Sequence, residues 1–267
     1  MLILQLCEIL APRFRSQRLH LLVGGTVGAL SVVIVPAASA VPLIYEQVID
    51  EVVANGYDTQ VLHIPSVGLV GNGIREGSPP TMYHDAAFVA ARVNDLADAG
   101  RDILLVMHSY GGTAGTQSAQ GLSKSERQKQ GKTGGIVGLA YMTCLVPELG
   151  KPASSRSTTP PKDAKPLMAM GDDGWFYYPD ASLHSAASFG SPLTYAGYKE
   201  LPLSYLVCEN DLSITAETQR SQIDMIERES GNEVDVTSIQ AGHVPPISAP
   251  QNVVKWILHV ATKYAAA

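Results

Sequence analysis

Several things are scarce in this 267-residue chain, and each scarcity excludes a class of protein. Its three cysteines, Cys7, Cys144 and Cys208, are scattered and show no C-x-x-C spacing. Neither a disulfide framework nor a zinc site is indicated, and a reducing, cytoplasmic compartment fits best. No run of five or more basic residues occurs and the formal net charge is -6, so the electrostatic footprint of a nucleic-acid binder is missing. No asparagine stands in an N-x-[ST] sequon, which agrees with an intracellular protein. "GKTGG" at residues 131–135 ends like a phosphate loop, but Glu126 stands where that pattern demands glycine. "VGGTVGAL" at residues 23–30 lacks G-x-G-x-x-G spacing. No nucleotide site follows, and a small-molecule substrate is the expected partner.

A long uncharged run, Leu19 to Tyr45, follows Arg13, Arg15 and Arg18, and "AASA" at 37–40 offers an A-x-A cleavage pattern. Gly24, Gly25, Gly28, Pro36 and Pro42 interrupt it, and from residue 31 it reads as strand, small-residue loop and helix. Residues 1–28 are therefore set apart as an amino-terminal extension of unassigned role. Residues 29–267 form the folded domain, and stable membrane insertion is not expected.

Strand and helix alternate along most of that domain. Apolar runs predict strands at 31–35, 59–64, 103–107, 136–143, 203–211 and 233–239. Helical spacing predicts helices at 43–54, 82–99, 216–229 and 250–264. The 82–99 helix carries Phe88, Val89, Val93 and Leu96 on one face, and Ser248 caps the last helix. "SKSERQKQGKTGG" reads as a solvated segment, and residues 147–200, rich in Pro, Ser and Gly, as a short cap-like insertion. The pattern is that of an α/β fold with a doubly wound, mainly parallel sheet.

The stretch "RDILLVMHSYGGTAGT" ends a buried strand in a serine and a small-residue helix. Such a turn lifts a hydroxyl clear of the sheet, sets helix amino-terminal N–H groups beside it, and needs small neighbours where its backbone is crowded. Ser109 is the candidate nucleophile, although Met107 stands where G-x-S-x-G has its first glycine. Seven histidines are present, and His243 follows the last strand in a Gly-Pro loop, at the carboxyl end where ligands of parallel sheets collect. "YLVCEND" offers Glu209 and Asp211 at another strand end, with Asp211 preferred because it lies past the strand. The order Ser109, Asp211, His243 is that of the α/β-hydrolases. Tyr110 N–H and Ala38 N–H are the candidate oxyanion donors, with Ala37 as the alternative to Ala38. Ala37, His108 and Trp175 are candidate pocket residues.

These motifs resemble the α/β-hydrolase superfamily, and within it the small fungal and plant enzymes related to methylesterases and hydroxynitrile lyases. "MHSYGG", "YLVCEND", "GHVPPISAP" and "IPSVG" carry the likeness, which covers residue 31 to the end. The resemblance implies an α/β-hydrolase fold and a cofactor-free, metal-free serine hydrolase. Its substrate would be an ester, lactone or thioester of a small apolar acid, including polyketide-type products of secondary metabolism. "PAAS" replaces the family's usual His-Gly oxyanion loop, and the insertion is shorter than the helical cap usual there. A lyase or cyclase using the same three residues as a proton relay, and a non-catalytic binding protein on this scaffold, are the alternatives.

Overall fold

A computed structural model describes residues 30–69, 73, 76–156, 169–170, 175–177 and 182–265, with backbone alone at 169–170 and 175–177. In chain order its strands are β1 (Leu30–Val35), β2 (Asp58–Val61), β3 (Asp102–His108), β4 (Gly135–Met142), β5 (Ala169–Met170), β6 (Trp175–Tyr177), β7 (His184–Ser185), β8 (Leu203–Cys208) and β9 (Asp235–Ile239). The helices are α1 (Glu46–Ala54), α2 (Met82–Asp98), α3 (Gly111–Ser118), α4 (Lys124–Lys129), α5 (Ala186–Gly190), α6 (Ala216–Ser230), α7 (Pro245–Ser248) and α8 (Pro250–Ala265).

Six strands pair in the order β2-β1-β3-β4-β8-β9, every neighbour parallel, as the alternation of apolar runs and helices predicts. Parallel strands covered on both faces need near-continuous apolar sequence, and β3 reads Asp-Ile-Leu-Leu-Val-Met-His. Its side chains alternate between two layers. Ile103, Leu105 and Met107 pack with Val89 of α2, Ala114 of α3 and Ile226 of α6. Leu104 and Val106 pack with Val52 of α1 and Ile257 of α8. The chain leaves β1 for β2 on one side and returns to β3 on the other. At such a reversal ligands of parallel sheets collect, and the "PAAS" loop and Ser109 lie there, at the carboxyl ends of β1 and β3.

Met107, the residue out of pattern below the serine, is fully buried in the first layer. Its thioether occupies the space across from Gly115, where an added Cβ would stand 2.4 Å from Met107 Sδ and 2.6 Å from its Cγ. The glycine missing from β3 is thus compensated by one in α3. Gly115→Ala is expected to cost about 1–3 kcal/mol of stability, as overpacking does. A urea-denaturation cycle should find most of that cost gone in the Met107→Gly background.

Other expectations needed tertiary partners to correct them. The 43–54 helix opens with a 3-10 turn, Pro42–Tyr45. Phe88 is 42% exposed, because Ala86, Val89, Val93 and Ala97 hold the inner face of α2. The segment read as solvated contains α4, with the Ser123 hydroxyl accepting the Glu126 N–H at 3.2 Å. Arg127 is buried there, donating to Asp98 at 2.6 Å, Asn94 at 2.8 Å and the Gly134 carbonyl at 3.2 Å. Ser248 lies inside α7 and donates to the Val244 carbonyl, so it does not cap α8.

Within 147–200 the described elements are 3-10 turns at Ala153–Arg156 and Gly197–Lys199, the antiparallel sheet β5-β6-β7, and α5. The 1–28 extension lies outside the described residues. Among the described residues no helix is long and apolar enough to cross a membrane.

Candidate active site

Three non-glycine residues take a left-handed φ among the described residues: Ser39 (59°), Ser109 (54°) and Thr143 (41°). They follow β1, β3 and β4, so backbone strain of about 1–3 kcal/mol each is concentrated at one end of the sheet. At the elbow it is held by the Ser109 amide donating to the Met142 carbonyl at 3.2 Å and by the Leu145 and Gly112 amides donating to the Ser109 carbonyl. Gly111 is obligatory for another reason. A Cβ there would stand 2.4 Å from the Val35 carbonyl oxygen and 2.7 Å from that of Pro36.

The structure brings Ser109, His243 and Asp211 into one hydrogen-bonded chain. Ser109 Oγ lies 2.9 Å from His243 Nε2, and His243 Nδ1 lies 2.7 Å from Asp211 Oδ2. Burial pushes the Asp211 carboxyl up, but its bonds with His243, the Thr143 hydroxyl and the Ile214 amide outweigh that and hold it below its ordinary value. An ionised carboxylate requires a donor, so His243 Nδ1 carries the proton and Nε2 faces the serine hydroxyl as an acceptor. Asp211 Oδ1 accepts the Ser213 amide at 2.7 Å and the Ile214 amide at 3.0 Å. Glu209, the reserve acid, is instead paired with Arg220 at 2.6 Å on the surface.

Around the serine the N–H groups of Ala38, Tyr110 and Gly111 meet no acceptor among the described residues. The Ala37 N–H is taken by the Tyr45 hydroxyl at 3.0 Å, which separates the two alanines. Ala37 is buried in the core layer beside Tyr45, and Ala38 is the partly exposed one. His108 is also fully buried. Its Nε2–H donates to the His243 carbonyl at 2.8 Å and its Nδ1 accepts the Tyr45 hydroxyl at 2.8 Å. Ala37 and His108, expected at the pocket wall, are both buried and take part in this hydrogen-bonded row. The Trp175 side chain lies outside the described residues; its backbone belongs to β6.

Four residues were not singled out from the sequence. Tyr45 has been described, and Thr143 donates its hydroxyl to Asp211 Oδ2. Asp85 accepts the Tyr110 hydroxyl at 2.6 Å and the Ser66 amide at 2.8 Å, and burial raises its carboxyl above the usual range. His184 accepts the Ser39 amide on Nδ1 at 3.2 Å and is fully buried. No motif or spacing marks these positions. Among the described residues no group of three or more His, Cys, Asp or Glu side chains could hold a metal ion.

Burial lowers both His108 and His184 from 6.5 to about 3. Below pH 6.5 the unfolded chain takes up protons that these folded imidazoles refuse, so stability falls as pH drops from 6.5 toward about 3. The loss approaches about 1.4 kcal/mol per pH unit for each histidine. Urea midpoints should decline from pH 6.5 to 4.5, and less steeply in His184→Asn.

The model of the Alpha/beta hydrolase family matches residues 32–256. The chain belongs to the α/β-hydrolase family. This α/β-hydrolase is 28% identical to "Probable hydrolase R7" of Phoma sp., over 83% of its own length and 94% of that protein. Its fold matches a pyrethroid hydrolase from Sphingobium faniae with TM-score 0.67, 21% identity, covering 89% of this chain and all of that one. A methylesterase from Arabidopsis, MES16, matches with TM-score 0.63 and 13% identity over 87% and 99% of the two chains. At these identities the solved structures establish a shared fold.

Proposed function

We propose that this hydrolase cleaves a carboxylic ester, lactone or thioester of a small apolar metabolite through an acyl-enzyme on Ser109. One observation carries the reading: the continuous hydrogen-bonded chain from Ser109 Oγ through His243 to Asp211, with the N–H groups of Ala38 and Tyr110 left without an acceptor among the described residues. Ser109 Oγ attacks the acyl carbon while His243 Nε2 takes its proton, and the Tyr110 and Ala38 N–H groups hold the negative oxygen. His243 then returns the proton to the departing alcohol or thiol. Water, deprotonated by the same nitrogen, releases the acid and restores the serine.

Exposed apolar side chains follow directly on two of the three residues: Leu212 after Asp211 and Val244 after His243. They support an apolar substrate, and the sequence resemblance supports a polyketide-type product of secondary metabolism. The buried free thiols Cys144 and Cys208 support a cytoplasmic site of action. A tagged alkyl fluorophosphonate should label the protein, and short-chain p-nitrophenyl esters should be hydrolysed faster than charged ones. Ester turnover without any trapped acyl-enzyme or phosphonylated serine would favour a proton-relay reaction instead.

A further inference from the structure

The loop carrying Ala38 is gripped on both sides by buried side chains that the triad itself does not require. On the near side a hydrogen-bonded row runs from the Ala37 N–H through the Tyr45 hydroxyl to His108 Nδ1, and from His108 Nε2–H to the His243 carbonyl. It ties the oxyanion loop to the loop of the base. On the far side the Ser39 N–H donates to His184 Nδ1. With that nitrogen accepting, Nε2–H donates to Ser188 Oγ at 3.0 Å, whose hydroxyl donates to the Ser185 carbonyl at 2.8 Å. The His184 ring also stands edge-on to Tyr110, centroids 4.8 Å apart and planes at 74°, while Asp85 anchors the far end of Tyr110. His184 therefore touches both the loop that follows β1 and the residue that follows Ser109.

Each imidazole must be neutral to serve, because each offers one lone pair and one N–H; complete burial keeps both so. Ser39 has a left-handed φ of 59°, a conformation that a serine keeps only when its surroundings enforce it. His184 supplies that restraint.

We propose that His184 and the Tyr45–His108 pair are positioning residues that clamp the amides on either side of Ala38, leaving its N–H alone free for the substrate's carbonyl oxygen. This rests on the Ser109 reading above. It also links the seating of the segment that carries β7 and α5 to the strength of the oxyanion hole, because His184 belongs to that segment.

The test compares variants by the second-order rate at which a tagged alkyl fluorophosphonate labels Ser109, a reaction that needs the same oxygen-binding donors. Asparagine puts its amide oxygen near the place of Nδ1 and keeps an acceptor for Ser39; glutamine reaches toward Nε2 and keeps the Ser188 contact instead. His184→Asn should react within about threefold of the wild type, whereas His184→Gln and Tyr45→Phe should be slower by roughly 10- to 100-fold. With p-nitrophenyl butyrate the loss should fall on kcat and leave KM unchanged, in variants that stay folded with a Tm lower by only a few degrees, the cost of a buried amide left without its partner. Wild-type labelling of His184→Gln, or equal slowing of His184→Asn and His184→Gln, overturns the proposal. Should the His184 variants fail to fold, a wild-type rate in Tyr45→Phe overturns it alone. An unlabelled wild type would remove the Ser109 reading and this proposal together; a labelled wild type with indifferent variants removes only this one.

Discussion

Ser109→Ala is expected to lower p-nitrophenyl ester turnover by roughly 10⁴- to 10⁶-fold and to abolish fluorophosphonate labelling. Among the described residues no neighbouring group is placed to replace the lost hydroxyl. Thr143 commits its hydroxyl to Asp211. The Cys144 thiol is buried, donates to the Met107 carbonyl at 3.0 Å, and is driven far from ionisation by that burial. His243 would retain its carboxylate partner, and the Ala38 and Tyr110 N–H groups would stay in place. A small residual rate above the uncatalysed reaction, about 10³-fold, is therefore expected from water attack. The fold should survive, because alanine at a φ of 54° is strained much as serine is and the elbow's backbone bonds are unchanged. Wild-type turnover by Ser109→Ala would eliminate the covalent route.

Asp211→Asn should cost about 10⁴-fold in kcat, for a reason specific to how this carboxylate is held. Its Oδ1 accepts two main-chain donors, Ser213 and Ile214, so an asparagine must keep its oxygen on that side. The amide NH2 is then turned toward His243 Nδ1 and the Thr143 hydroxyl, where the carboxylate oxygen accepted from both. Facing a donor, His243 must accept on Nδ1 and carry its proton on Nε2, where it can no longer take one from Ser109. Steady-state kinetics with circular dichroism as a fold control would check this, and a loss below tenfold would show that Asp211 does not set the tautomer. The same carboxylate has a pH signature. Because folding lowers its pKa, its contribution to stability is present above the ordinary carboxylate value and is lost as pH falls through the lowered native one. Asp211→Asn should remove that acid-side component.

Why so much of the framework could be read in advance is clear from particular elements. β3 and β8 are continuous apolar runs because parallel strands covered on both faces tolerate little else. Strand order then places whatever follows a strand's carboxyl end where ligands of parallel sheets collect, so Ser109, Asp211 and His243 could be chosen by position along the chain. Local pattern failed where a polar residue found its partners through folding. Arg127 looked solvated until α2 supplied Asn94 and Asp98. Phe88 matched a helical stripe, yet smaller residues held the inner face of α2.

Met107 marks the boundary between the two kinds of information. By local pattern it was a flaw in the elbow; Gly115, eight residues on, makes room for it from the helix above, a pairing visible only when strand and helix are packed. The supports of the site belong to the same class. Tyr45 and His184 are 139 residues apart and carry no motif, but they meet the amides on either side of Ala38. Periodicity and strand-end position are properties of a short stretch and follow from the chain's own order: the α/β class, the parallel sheet and the choice of Ser109, Asp211 and His243 as the candidate triad. Which N–H groups stay free, and which buried polar groups hold them so, depends on hydrogen bonds between distant segments. Those bonds exist only after β1, β3 and the segment around His184 have closed on one another.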